Sequence, residues 1–324
     1  MAQPASHGGV FPRAKSGQCR AHHAFSSSTA RITIVCYAVY LVLFLGLFFF
    51  TAARFLTSED KRKSIAQWLL LALAVTFMLL AQTLAVIMTT LSECAVLTPA
   101  DTTQALLPIT WLLALGKLAL FALILLPLCR RLHHGASHKT IDRWIRIPHS
   151  VLIAVLAGLL LAALAVQTRL VERIVHPTRY PFAELQRWQR TEKRLWVAVF
   201  VVEVLGMSLA AARMGWAVCS ARHLRRGELG IFIPLLIVSS VGLALTDLVG
   251  YVEGPAFRTA ATVEQERNIV SGQQARMYVE YFFYAGTVLA AGVVVASRRL
   301  GTAARANLPS WGRAPGPPFF STFW

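Results

Sequence analysis

The sequence predicts an all-α, polytopic membrane protein, a bundle of seven transmembrane helices, on three observations. Seven runs of apolar residues are each long enough to cross a hydrocarbon core of about 30 Å, which takes roughly 20 helical residues. The 324-residue chain is 56% hydrophobic and only 15% charged, with a mean hydropathy of +0.56, well beyond an ordinary water-soluble domain. Of its 32 Lys and Arg, all but Lys117 and Arg213 fall in the tails, between the apolar runs or, for Arg54, at the very end of one, where headgroups and water accept them.

In chain order the runs cover about 32–55, 66–91, 106–129, 148–167, 195–219, 229–252 and 278–297. Within lipid every backbone N–H and C=O must be bonded inside the protein, and continuous apolar runs of this length do so as helices rather than as the alternating strands of a barrel. Residues 1–31 carry Arg13, Lys15, Arg20 and Arg31, several serines and no acid. Mitochondrial transit peptides share that composition, but Gly8, Gly9, Pro12 and Gly17 interrupt an amphipathic helix. The segment reads as a disordered basic tail ahead of a first span that acts as signal anchor. Residues 301–324, with Pro315 to Pro318 followed by Phe319, Phe320, Phe323 and Trp324, read as a second disordered tail. The bundle thus occupies 32–300.

Counting Lys and Arg by side gives 16 for the set of connections that includes the C-terminal tail and 14 for the other. The connection at 92–105 has no basic residue and holds Glu93 and Asp101, while every short connection of the first set is basic. This predicts an N-terminus outside and a C-terminus inside. The connection at 168–194 runs against the rule with seven Lys and Arg. There Phe182, Leu185, Trp188 and Leu195 recur near helical spacing after Pro177 and Pro181, so the segment reads either as an interfacial amphipathic helix or as a solvated loop.

Charges inside the spans are the most informative feature, because a central Asp, Lys or Arg costs about 2.5–3.5 kcal/mol on insertion scales and turns toward a partner or water. Lys117 lies in the middle of the third span, Glu203 in the fifth, Asp247 in the outer part of the sixth and Glu280 near the outer start of the seventh. A fifth charge, Arg213, sits near the inner end of its span and can snorkel. Two readings follow for Lys117, Glu203, Asp247 and Glu280. They form an outer-half polar cavity for a ligand or ion, with Lys117 paired to Glu203 or Asp247, or they are a structural buried ion pair with an interfacial Glu280. Gln82 adds a polar group to span two, and small residues at Ala154, Gly158, Ala162 and at Gly286, Ala290 predict helix-packing faces.

Several chemistries lack their residues. The five cysteines have no zinc-site spacing and no disulfide framework. Cys129 and Cys219, beside Arg130, Arg131 and Arg222, read either as free cysteines tolerated at helix ends or as sites of S-palmitoylation. Haem would need His on facing helices, but His133, His134, His138, His149, His176 and His223 lie in connections or at span ends. Span seven has no Lys for a retinal Schiff base. No catalytic motif of a hydrolase, metalloprotease or P-loop enzyme occurs. The reading therefore includes no cofactor, no metal and no nucleic-acid partner, despite a formal charge of +17.

Seven spans, a short N-terminal tail and basic inner connections resemble the layout of G-protein-coupled receptors. In size and loop length the chain more closely resembles the uncharacterised seven-helix membrane proteins of fungi. The third span ends Leu128-Cys129-Arg130-Arg131 rather than Asp/Glu-Arg-Tyr, and the seventh lacks Asn-Pro-x-x-Tyr. The resemblance implies a receptor or sensor in the plasma membrane or an endomembrane rather than the mitochondrial inner membrane, with a small ligand or ion outside and a cytoplasmic partner at the basic inner connections. The alternatives are a proton- or cation-coupled transporter or channel and an integral-membrane lipid enzyme.

Overall fold

The computed structural model describes residues 28–57, 61–94, 99–136, 142–175, 182–220, 228–253 and 263–297. Among them are α1 (Ser28–Thr57), α2 (Lys61–Glu93), α3 (Pro99–Leu123), a π-helical segment (Ile124–Leu128), α4 (Cys129–Ala136), α5 (Asp142–Val175), α6 (Phe182–Ser220), α7 (Leu229–Glu253) and α8 (Val263–Ala296). Seven stretches are long and apolar enough to cross a membrane: Ala30–Thr57, Ile65–Glu93, Thr102–Leu132, Ile147–Val175, Glu184–Ser220, Leu229–Val252 and Gln274–Ala296. No strand occurs among the described residues. Both tails, at 1–27 and 298–324, lie outside the described residues.

The third span is one rod made of α3, the π segment and α4. Pro127 lies inside the π segment. Its ring would collide with the carbonyl one turn back in a regular α-helix, and it has no N–H to donate; a wider turn absorbs both faults. The rod packs on α2 and α5 through α3 and on α6 through α4, while α1 closes the ring against α8. Leu120, Phe121, Ile124, Leu125, Leu128 and Leu132 of the rod are buried in one apolar core with Leu71, Val75 and Met78 of α2 and Ile233 and Leu236 of α7. α1 is peripheral, with Val35, Val39, Val42 and Phe49 exposed toward where lipid would lie.

Glycine permits two close approaches. A Cβ at Gly242 would sit 2.7 Å from the Phe283 ring between α7 and α8. At Gly116 it would sit 3.3 Å from Tyr284 Oη and 3.4 Å from the Ala74 carbonyl oxygen. Tyr284, fully buried, donates to that same Ala74 oxygen at 3.0 Å, tying α8 to α2 beside α3.

Four expectations are corrected. The 168–194 region is no separate interfacial helix: α5 runs to Val175 and α6 from Phe182 without a break. No proline interrupts Phe182–Ser220, so the amphipathic turns continue into the span, a rod of 39 residues and about 58 Å at 1.5 Å per residue. The two rods are clasped by the Arg173–Glu184 ion pair, with the Arg173 guanidinium 4.5 Å over the Trp188 ring. Second, Ala154, Gly158 and Ala162 are exposed on α5, whereas Ala290 is buried and Gly286 faces Ser239; the small-residue stripe of α5 is not an internal packing face. Third, Cys94, at the end of α2, is disulfide-bonded, a bond the cysteine spacing did not suggest. Fourth, His133 and His134 fall in α4 rather than in a loop, and His138 lies outside the described residues.

Candidate functional site

Lys117 marks the centre. It is 18 residues into α3, too deep for its ammonium to reach either interface with ease, and its charge is met from two other helices. Nζ donates to Asp247 Oδ1 at 2.8 Å and Oδ2 at 2.9 Å, and lies 2.6 Å from Glu280 Oε1. Three helices, α3, α7 and α8, are thus joined by one cation between two carboxylates. Of the two expected partners for Lys117, Asp247 takes the role and Glu203 does not; Glu280 is a direct partner rather than an interfacial residue. Asp247 is nearly buried, with 3% of its side chain exposed, while Lys117 and Glu280 keep 14% and 21%.

That residual exposure is toward a cavity of about 350 Å³. α3 contributes Thr110, Leu113 and Ala114 on the turns before Lys117, and α5 contributes Leu160. Trp196, Phe200 and Glu203 come from α6, spaced by four and three and hence on one helical face. α7 adds Gly250 and Tyr251 on the turn after Asp247, and α8 adds Arg276 and Met277 on the turn before Glu280. All these walls rise toward the side on which α3, α6 and α8 begin. Toward the other side Leu120, Phe121, Met207 and Leu243 are buried and form an apolar floor.

Glu203 differs from the other two acids. It is 4% exposed, and its Oε2 has no hydrogen-bond partner. The rings beside it form a wall, with Trp196 stacked on Phe200 at 5.5 Å between centroids and Phe200 5.3 Å from Tyr251. At the rim, Arg276 Nη1 donates to the Gly250 carbonyl oxygen at 3.3 Å.

The opposite end of the rod carries a second polar contact that the sequence reading missed. Arg131 of α4 donates through Nη1 to the Val295 carbonyl at 2.8 Å and to Gln67 Oε1 at 3.3 Å, and through Nη2 to the Ser297 carbonyl at 3.1 Å. A cation thereby closes the carbonyl end of α8, where the helix dipole favours it. Nearby, Cys129 is buried in the core and Cys219 is exposed. A buried thiol offers no access to an acylating enzyme, so Cys129 is poorly placed for palmitoylation and Cys219 is not. Gln82 is fully buried in α2, and Arg213 is half-buried in α6; neither lines the cavity.

Comparisons with protein-family models, with curated proteins and with solved structures find no match to this chain.

Proposed function

We propose that this integral membrane protein is a receptor or sensor in which a small ligand or ion enters the cavity among α3, α6, α7 and α8 and acts on the Lys117 cluster. The observation that carries this reading is the rod of the third span. It holds Lys117 at the cavity foot and Arg131 at the contact with α8, 14 positions apart or about 20 Å along a helix, with the π segment between them. π segments recur at functional sites. A shift in the charges around Lys117 therefore has a rigid route to the far side of the bundle. The layout shared with G-protein-coupled receptors and with seven-helix fungal proteins supports the same reading by analogy.

The cavity side is outside in this account. The 92–105 connection lacks basic residues and holds Glu93 and Asp101, as befits an outer connection. The basic stretches at 54–63, 130–146 and 222–226 then face the cytoplasm and offer a surface to a partner. A transporter is the second reading, favoured by three carboxylates at mid-bundle. Against it stand the apolar floor and a helix interruption at Ile124–Leu128 with no counterpart among the described residues.

Hydrogen exchange on the purified chain tests the coupling without a known ligand. Asp247→Asn, which unbalances Lys117, is expected to speed exchange at residues 129–136 and 292–297 while leaving α1 unchanged as a control for folding. Changes confined to the cavity walls contradict the receptor reading. A pH-driven flux in proteoliposomes that Asp247→Asn abolishes replaces it with a transporter.

A further inference from the structure

We infer that the cavity takes a small organic cation, an alkylammonium or quaternary amine, with Glu203 as its counter-ion and the rings of Trp196, Phe200 and Tyr251 as its wall. This deepens the receptor reading and rests on the cavity being a ligand site.

The lining holds three carboxylates, Glu203, Asp247 and Glu280, against two cations, Lys117 and Arg276, a formal balance of −1. Lys117 is occupied by both Asp247 oxygens and by Glu280, so it has little left to offer an anion. The excess negative charge is carried by Glu203, 4% exposed and with an oxygen that bonds to nothing in the protein. An ionised carboxylate buried without a partner is too costly to keep, and in such a place a cation or a proton must supply the match.

The surroundings select the kind of cation. A metal ion such as Ca²⁺ wants six or more oxygen ligands, whereas the wall next to Glu203 is aromatic. Phe200 and Trp196 lie on the same face of α6 as Glu203, one and two turns away, and Tyr251 closes the wall from α7. Ring faces attract ammonium groups and also accept their apolar substituents, which bare metal ions lack. A volume of about 350 Å³ admits a small molecule.

The test uses Thr246→Cys, at a position of α7 that also lines the cavity, in a background where the free thiols Cys36 and Cys219 are replaced by Ser, with the full chain in nanodiscs so that both faces are open to reagent. Reaction rates are compared for the cationic trimethylammonioethyl and the anionic sulfonatoethyl methanethiosulfonates, each normalised to its rate with mercaptoethanol. The expected result is a preference for the cationic reagent of about tenfold, the lower end for a cleft of one charge sign, lost on adding Glu203→Gln. Millimolar phenyltrimethylammonium is expected to slow the cationic reagent more than Na⁺ at equal ionic strength. No reaction at Thr246→Cys or at a second site, Thr110→Cys, overturns the cavity reading itself. Equal rates, a preference that survives Glu203→Gln, or equal slowing by Na⁺ overturns the organic-cation inference and leaves the cavity standing.

Discussion

At the residue scale, Lys117 and Glu203 show two opposite ways of holding charge at mid-membrane depth. Lys117 is matched twice over, by Asp247 and Glu280, and its position is explained by that pairing alone. Glu203 is buried with an unbonded oxygen, which stability does not explain. Replacing it by Leu is expected to raise the unfolding free energy of the ligand-free protein by about 1–3 kcal/mol, since an unsatisfied polar group is removed. Calorimetry or detergent unfolding reads this directly, and destabilisation of similar size would make Glu203 a structural residue. The four charged candidates were legible from sequence because lipid makes them expensive. The aromatic wall was not, because Trp196, Phe200 and Tyr251 look like ordinary span residues until a charge is used as the reference. Stepping one and two turns along each helix from Glu203, Asp247 and Glu280 reaches Phe200, Trp196, Gly250, Tyr251, Met277 and Arg276, and that spacing was the signal available.

At the element scale, the third span is defined by two residues. Gly116 lets α3 approach the Tyr284–Ala74 contact, and Pro127 lies within the π segment that follows Lys117. Gly116→Leu must push against a backbone carbonyl and a buried hydroxyl, so it is expected to destabilise by about 1–3 kcal/mol through overpacking, despite the better helix propensity of Leu. Thermal unfolding in detergent measures it, and a gain in stability would mean that α2 and α3 are not packed this closely. α6 shows where reading by element falls short. The helical spacing of Phe182, Leu185 and Trp188 was visible, but hydropathy marked only the apolar part as a span, and nothing in a polar-to-apolar change of composition stops a helix. The outward face of Ala154, Gly158 and Ala162 was equally hidden, because spacing by four fixes a common face and not its direction.

At the scale of the whole molecule, the seven spans were legible because the bilayer fixes both the length of a crossing and the need to close every backbone hydrogen bond. Helix rotation has no such external rule. It is set by interdigitation, such as Gly242 against Phe283 and Tyr284 against Ala74, and it decides whether charges 130 positions apart in sequence, Lys117 and Asp247, meet at all. Convergence of α3, α7 and α8 on one cation is therefore the claim on which cavity, receptor reading and ligand class all depend. A double-mutant cycle of Lys117→Met and Asp247→Leu, read as unfolding free energy, tests it most directly. Lys117→Met alone is expected to cost about 3–5 kcal/mol, as for any broken buried pair, and the double variant to be more stable than Lys117→Met. Additive costs, equal to the sum of the singles within about 0.5 kcal/mol, would show that the two residues do not meet.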